Sequence, residues 1–224
     1  MPTTQHHLVA LTAMLIACAT TVQANVTVKR LPPEVQHKTF DPAKPPPEMP
    51  HLTGEEAAAT TSVFRVQVGG DYEPISRKKG DDGWTTLIAV HGLTITLRLQ
   101  VTIWVPQGVT EKLKAHEEGH RRISEMVYQD RAIKEAKAAG AMADGKRFSG
   151  EGKDWKTAAA NAVNPVLDKL GKAYLHNTAD VENEINNIYD ELTRHGSNDK
   201  PEDEAIKEAF ARYEKEHATT QPSK

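Results

Sequence analysis

Two histidines four residues apart, with a glutamate directly after the first, are the residues of this chain best suited to chemistry. They are His116, Glu117 and His120, in the stretch HEEGH. Side chains at positions i and i+4 share one face of a helix, so the two imidazoles are able to converge on one ion. Imidazole nitrogen is a good zinc ligand, and a catalytic zinc needs only three protein ligands. The pattern therefore predicts that His116 and His120 bind Zn2+.

Glu117 follows one residue round the same helix, which places it beside the metal rather than on it. In an H-E-x-x-H site the metal lowers the pKa of a water molecule, and the glutamate takes the proton and passes it to the leaving amine. We therefore interpret Glu117 as a general base. The alternative is a solvated helix that carries two histidines by chance. Ile123 and Val127 argue against it, because they continue the same face as an apolar stripe.

A third metal ligand must come from another part of the chain. The extended metzincin pattern requires Gly at position 123 and His at position 126, where this chain has Ile123 and Met126. Residues 177–198 (NTADVENEINNIYDELTRHGSN) combine an apolar stripe with Gly196, which indicates a second helix and its end. Three side chains in this segment are candidate ligands: Glu182, Asp190 and His195.

These candidates also have simpler explanations. Glu182 is most simply a solvated charge, and a histidine near a helix C-terminus, such as His195, is also explained by the helix dipole. Asp190 is either a third ligand or a partner that orients a ligating histidine. Its neighbour Tyr189 is either a packed core residue or a donor that stabilises an oxyanion.

The residues before the motif indicate β-strands. Residues 93–105 (LTITLRLQVTIWV) place seven apolar side chains on one face in strict alternation, which is typical of a strand with one buried face. Residues 62–68 also alternate, and we expect a turn at Gly69-Gly70 after them. Residues 84–90 (WTTLIAV) are the expected hairpin partner of 93–105, with the turn at His91-Gly92.

The character of the chain changes from strand to helix after Pro106. Thr110 is expected to cap a helix over residues 111 to about 139, which are rich in Ala, Glu, Lys and Arg. These elements predict an α+β fold, in which a small antiparallel sheet packs on the H-E-x-x-H helix and a second long helix. Zinc peptidases of the thermolysin type place a sheet edge beside such a helix, and sheet edges bind extended peptides by adding a strand.

The N-terminus carries a targeting signal. Residues 8–22 form an uncharged run of about 15 residues, which is shorter than a membrane span and typical of a signal-peptide core. VQA, ending at Ala24, predicts a signal peptide of residues 1–24, whereas LIAC, ending at Cys18, predicts a lipoprotein signal to residue 17 with Cys18 lipidated. Both patterns predict an exported protein, which is periplasmic, secreted or lipid-anchored in the bacterial envelope. Membrane anchoring is expected only through a lipidated Cys18.

The distribution of prolines and charges divides the rest of the chain into a linker, a folded domain and a tail. Seven of the 13 prolines fall between Pro32 and Pro50, which predicts a proline-rich linker over residues 25–54. The folded domain is then residues 55–199, followed by a charged C-terminal helix and tail over residues 200–224. Cys18 is the single cysteine, so histidines and carboxylates must supply the metal ligands. A net charge of -3 without a basic excess gives no support to nucleic-acid binding.

Several short motifs together resemble one bacterial family. WVP before the HEEGH helix, FSG at residues 148–150 and YDELTRHG at residues 189–196 are similar to the predicted secreted zinc-dependent proteases catalogued as domain of unknown function 922. The similarity covers about residues 60–198. In that family the final pattern runs Tyr-Asp, Thr and His-Gly, which falls on Tyr189, Asp190, Thr193, His195 and Gly196. The resemblance implies a zincin-like fold and a protease, but it names no substrate.

These observations predict an exported zinc metallopeptidase acting on a peptide or protein substrate. Its metal ligands are expected to be His116, His120 and His195, with Asp190 as the alternative third ligand and Glu117 as the general base. A non-catalytic zinc-containing envelope binding module is the alternative function. Glu117 argues against it, because a structural site has no use for a base beside an open coordination position. Hydrolysis of a non-peptide amide also stays open.

Overall fold

The computed structural model describes residues 25–52 and 56–218. The predicted signal peptide or lipoprotein signal, including Cys18, lies outside the described residues, as does the end of the predicted tail. Within them lie five strands and four helices: β1 (Val26–Arg30), β2 (Glu34–Phe40), β3 (Ala59–Gly80), β4 (Gly83–Pro106), α1 (Glu111–Gly140), β5 (Arg147–Gly152), α2 (Trp155–His176), α3 (Ala179–Thr193) and α4 (Glu202–Ala218). None of the described helices is long and apolar enough to cross a membrane.

The centre of the fold is a long antiparallel hairpin of β3 and β4, which pair along their whole length. The apolar alternation of β4 buries Leu97, Leu99 and Val101 completely in the main core, as predicted. The turn of the hairpin lies at residues 81–82. β4 then leads directly towards α1, so the sheet delivers the chain to the HEEGH helix.

The turns predicted at residues 69–70 and 91–92 are wrong, because β3 and β4 continue through them. Gly92 has a φ of +67° and is the extra residue of a β-bulge, opposite a register shift between Gly70 and Asp71. The positive φ of Gly92 therefore allows a β-bulge within a continuous hairpin and does not mark a turn between two strands. The predicted strand and its expected hairpin partner are two parts of β4.

Three short strands cover the other edge of β4. β1 and β2 run parallel to β4 and β5 runs antiparallel, so the sheet is mixed and the purely antiparallel prediction is wrong. β1 and β2 also lie where a linker was predicted. Pro32 and Pro33 separate these strands and the later prolines follow β2, so neither strand loses a backbone donor to proline. Val28 and Val35 pack against the main core.

The two predicted helices that flank the candidate site are both present. α1 starts after Thr110, whose hydroxyl accepts a hydrogen bond from the Leu113 N–H at 3.2 Å. Ile123 and Val127 are buried, so the face that bears the two histidines turns into the core as predicted. α3 is the second helix, and Ile185 is buried in the same core.

α4 corresponds to the predicted charged C-terminal helix, but it belongs to the folded domain. Four of its side chains lie in the main core, and the helix packs against α3 and α1. These side chains are Ala205, Ile206, Ala209 and Tyr213. α2, which was not predicted, packs mainly on β5. The packed unit therefore extends from β1 to α4, beyond the predicted boundaries of 55–199.

Candidate metal centre

Three ligand atoms converge between α1 and α3. His116 and His120 lie one turn apart on α1, and their Nε2 atoms are 3.2 Å from each other. Asp190 on α3 places its Oδ1 atom 3.2 Å from His116 Nε2 and 3.1 Å from His120 Nε2. Ligand atoms of a tetrahedral zinc at about 2.0 Å stand about 3.3 Å apart, so all three distances fit one ion. This group can hold a metal ion.

The electrostatics of Asp190 also fit a cation. Its Oδ1 atom is buried and accepts no well-aligned hydrogen bond from the residues that the structure describes, although two imidazole nitrogens lie at contact distance. Burial raises the pKa of Asp190, but the His116 and His120 imidazoles together outweigh burial and hold the pKa well below its usual range. A buried, ionised carboxylate needs positive charge beside it, and a divalent cation bound here would supply that charge in place of the imidazole protons.

Tyr189 and two glycines position the histidines. The Tyr189 ring stacks on His116 with 5.1 Å between centroids, and it meets His120 edge-on at 4.9 Å. A β-carbon at Gly119 would overlap the Tyr189 hydroxyl, and one at Gly196 would lie 2.8 Å from the His116 ring. Larger residues at these positions would push α3, or the turn after it, away from α1. Close packing therefore requires the glycine of HEEGH and the glycine that follows His195.

The Tyr189 hydroxyl is engaged away from the metal ligands. It donates to the carboxylate of Glu202 at the start of α4 and lies 3.2 Å from the His116 carbonyl oxygen. The side chain is fully buried. The structure therefore favours the packed-core interpretation of Tyr189 over an oxyanion role.

His195 does not share the ligand cluster that the sequence analysis assigned to it. Its Nδ1 atom is 3.6 Å from Asp190 Oδ1, and 58% of its side-chain surface is exposed. It follows α3 in a left-handed turn, where φ is 51° at Arg194 and His195 and 74° at Gly196. The turn holds His195 at the rim of the site. Asp190, the alternative third ligand, completes the cluster because it projects from the last turn of α3 onto the two imidazoles.

Glu117, the predicted general base, lies at the cleft beside the candidate ligands. Its side chain is buried and faces the same cleft as the three ligand groups. Thr60 in β3 donates from Oγ1 to Glu117 Oε2 at 2.7 Å, which ties the sheet to α1 at this point. Burial raises the pKa of the Glu117 carboxyl, against the opposing influence of His120 and Thr60. A raised pKa suits a carboxylate that must accept a proton near neutral pH.

An open cleft of about 340 Å³ gives access to these groups. Residues 56–62, at the start of β3, form one wall, and Asn183, Asn186 and Asn187 of α3 form the other. His195 also lines it. None of the described residues that line the cleft is Lys or Arg.

Two further residues belong to this site although they were not predicted from the sequence, Thr60 and Asn186. Asn186 Oδ1 lies 2.8 Å from His120 Nδ1. A signal for Asn186 existed, because Glu182, Asn186 and Asp190 recur at every fourth position and so form a polar stripe on α3. Glu182 itself is buried, not solvated, and it is not part of the ligand group. Thr60 carries no comparable signal, since its contact with Glu117 depends on how the sheet meets α1.

Metal binding at this group is expected to be strongly pH-dependent. Burial lowers the pKa of His120, but Asp190 outweighs burial and raises it to about 9 in the metal-free protein. A metal ion that binds through Nε2 must then displace a proton from His120, so its affinity should fall as pH falls, by about tenfold per unit below about pH 9. Calorimetric titrations in buffers of different ionisation enthalpy should show release of at least about one proton per zinc at neutral pH. An affinity that is constant from about pH 6.5 to 8.5 would contradict this expectation.

Comparison with known proteins identifies no relative of this chain. No family model matches the chain, and neither a curated protein nor a solved structure matches it significantly. The resemblance to domain of unknown function 922 therefore stays a prediction, and the geometry of the site is the basis for proposing a function.

Proposed function

We propose that the protein is an exported zinc-dependent metallopeptidase that hydrolyses peptide bonds, with His116, His120 and Asp190 as metal ligands. The observation that carries the proposal is a buried glutamate, Glu117, beside a three-atom cation site in an open cleft. Three protein ligands leave room for water and substrate, as in catalytic rather than structural zinc sites. Imidazole and carboxylate ligands also suit other transition metals. We assign zinc because a zinc-bound water beside a general base is suited to hydrolysis.

The proposed chemistry assigns the proton transfers to Glu117. When bound, zinc acidifies water and polarises a carbonyl oxygen. The Glu117 carboxylate accepts a proton from the attacking water and delivers it to the nitrogen of the leaving amine. Thr60 holds one oxygen of that carboxylate at 2.7 Å, so the carboxylate is oriented before substrate arrives.

The shape and charge of the cleft favour an extended peptide. β3 pairs with β4 on one side, and no other described strand pairs with its outer edge. A peptide is able to add to this edge through main-chain hydrogen bonds and so pass Glu117. The lining contains several carboxylates and no described Lys or Arg, which disfavours anionic substrates such as phosphate esters.

Metal content and turnover test the proposal. The protein purified for these tests should begin at residue 25, so that it retains β1 and β2, which belong to the sheet. We expect about one zinc per chain to survive gentle dialysis. A chelator should abolish cleavage of a broad peptide library, and added zinc should restore it. Zinc retention without cleavage would favour the envelope binding module, and cleavage of simple acyl amides alone would favour a non-peptide amidase.

Export is part of the same proposal. The mature chain isolated from its own host is expected to begin at Asn25 or at lipid-modified Cys18. The Asn25 N–H donates to the Asp144 carboxylate at 2.6 Å, so cleavage after Ala24 would convert this hydrogen bond into an ion pair of the new α-ammonium group. This contact supports the Asn25 start. Intact-mass measurement distinguishes the two starts, and a chain that still carries residues 1–24 would contradict both.

A further inference from the structure

A chain of side-chain hydrogen bonds runs from His120 into the protein. The Nδ1 atom of His120, on the ring edge away from Asp190, lies 2.8 Å from Asn186 Oδ1. Asn186 donates from Nδ2 to Glu182 Oε1 at 2.7 Å. Ser124 also donates to Glu182 Oε1, at 2.6 Å. Each link connects groups that are wholly or partly buried.

The Glu182 carboxyl selects the orientation of the Asn186 amide. An amide has one donor side and one acceptor side, and Glu182 Oε1 is an acceptor for two donors. The NH2 group of Asn186 must therefore face Glu182, which leaves its oxygen facing His120. A rotated amide would put two oxygens together beside a buried carboxyl, which is strongly unfavourable.

The orientation of Asn186 in turn selects the form of His120. An amide oxygen at Nδ1 accepts a hydrogen bond, so the Nδ1 atom of His120 must carry the proton. The Nε2 atom of the neutral ring is then the one with the free electron pair, and it lies in the ligand cluster with Asp190. The rotated amide would require the opposite tautomer, in which a proton on Nε2 excludes a metal ion.

His116 lacks an equivalent partner. Its Nδ1 atom is buried and has no hydrogen-bond partner among the described residues, and its ring is held by stacking on Tyr189 and by the close approach of Gly196. The two ligating histidines are therefore positioned by different means. Of these two histidines, His120 is the one whose Nδ1 atom has a polar partner on α3 within the described part of the chain.

We propose that Asn186 is a positioning residue, which Glu182 orients so that it holds His120 as the Nδ1–H tautomer with Nε2 directed at the metal. The inference rests on the proposed metal site but not on peptidase activity. Orienting partners of this kind are worth about 10- to 100-fold in metal affinity or activity. The buried Glu182 then has a defined role, although it neither ligates the metal nor acts as a base.

Zinc affinity of the purified chain, measured by competition with a chelating dye, tests this inference without any substrate. Asn186→Leu keeps the approximate size of the side chain and removes the acceptor, so zinc affinity should fall about 10- to 100-fold. The matched control is Asn187→Leu, which places the same substitution next door, on an exposed residue of the same cleft, and should leave affinity unchanged.

A spectroscopic readout separates positioning from general destabilisation. In the zinc-bound wild type, the His120 Nδ1–H should give a low-field proton resonance that is protected from exchange with water, and Asn186→Leu should lose it. The metal-free Asn186→Leu protein should still melt cooperatively, at a lower temperature than Asn187→Leu because the buried Glu182 loses a hydrogen-bond donor. If Asn186→Leu does not fold, Asn186→Ala carries the same comparison.

The possible outcomes distinguish this inference from the proposed function. Wild-type zinc affinity in Asn186→Leu overturns the positioning role and leaves the peptidase proposal intact. Zinc binding that depends on Asn186, in a chain that cleaves no peptide, supports the positioning role and defeats the peptidase proposal. A wild-type chain that binds no zinc overturns both.

Discussion

Glu117→Gln is expected to lower peptide hydrolysis by about 10²- to 10⁴-fold while zinc stays bound. The amide keeps the shape of the side chain, and its oxygen is able to accept the Thr60 hydrogen bond that Glu117 Oε2 accepts now. The NH2 group then takes the place of the other carboxylate oxygen, where it cannot accept a proton from water. Because burial disfavours the charged form of Glu117, the neutral variant should be at least as stable as wild type. Turnover on a peptide that wild type cleaves, zinc content and melting temperature are the three measurements.

Glu118→Gln is the matched control, because it makes the same change on the next residue of α1. Glu118 is more exposed than Glu117 and pairs with His37 and Arg121, outside the cleft. Its loss should change turnover by no more than about threefold, since partly exposed ion pairs contribute little. A Glu117→Gln protein as active as wild type would remove the general base from the mechanism. If wild type is itself inert on the peptide library, the binding module becomes the better function.

The part of the site that sequence could predict is the part that is local. His116, Glu117 and His120 belong to one helix, and helical geometry alone places the two imidazoles together. The Thr110 cap and the buried stripe through Ile123 and Val127 follow from the same local rules, and all are present. The alternation of residues 93–105 likewise predicted the buried face of β4.

The predictions that failed depend on contacts between distant residues. β1 and β2 form only because β4 offers an edge about 65 residues later, and short segments with nearby prolines give no local sign of such pairing. Gly92 permits either a turn or a bulge, and the strand opposite decides between them. A zincin-like fold stays a hypothesis, since the structure shows an α+β arrangement with a mixed sheet.

The candidate third ligand is the clearest case of a feature that depends on contacts between distant residues. The choice between Asp190 and His195 depends on how α3 is rotated against α1, which the packing of Tyr189 on Gly119 and of Gly196 on His116 decides. The four-residue spacing of Glu182, Asn186 and Asp190 did mark the face of α3 that meets the histidines. His195 lies beyond the end of the helix, so no helical periodicity applied to it.

Asp190→Ala is expected to remove zinc from the chain, whereas His195→Ala should retain it. Asp190 Oδ1 is the one carboxylate oxygen of the cluster, at 3.1 and 3.2 Å from the two imidazole nitrogens. Two remaining histidines cannot hold a catalytic zinc tightly, so the loss should exceed the roughly 10- to 100-fold effect of removing an orienting partner. Zinc affinity by competition and zinc content after dialysis measure both variants. His120→Ala should behave as Asp190→Ala does and provides the reference for a lost ligand.

His195→Ala also tests whether the rim histidine joins the site once a metal is present. His195 Nδ1 is 3.6 Å from Asp190 Oδ1, and the side chain is largely exposed, so a change in the left-handed turn would bring it to the ion without moving α3. If His195→Ala loses zinc and Asp190→Ala keeps it, the ligand set is three histidines and Asp190 orients one of them. If both lose zinc, the ion has four protein ligands, which closes the position that a catalytic water needs and favours the structural zinc of a binding module. Loss in Asp190→Ala alone leaves that position open beside Glu117, as the peptidase proposal requires.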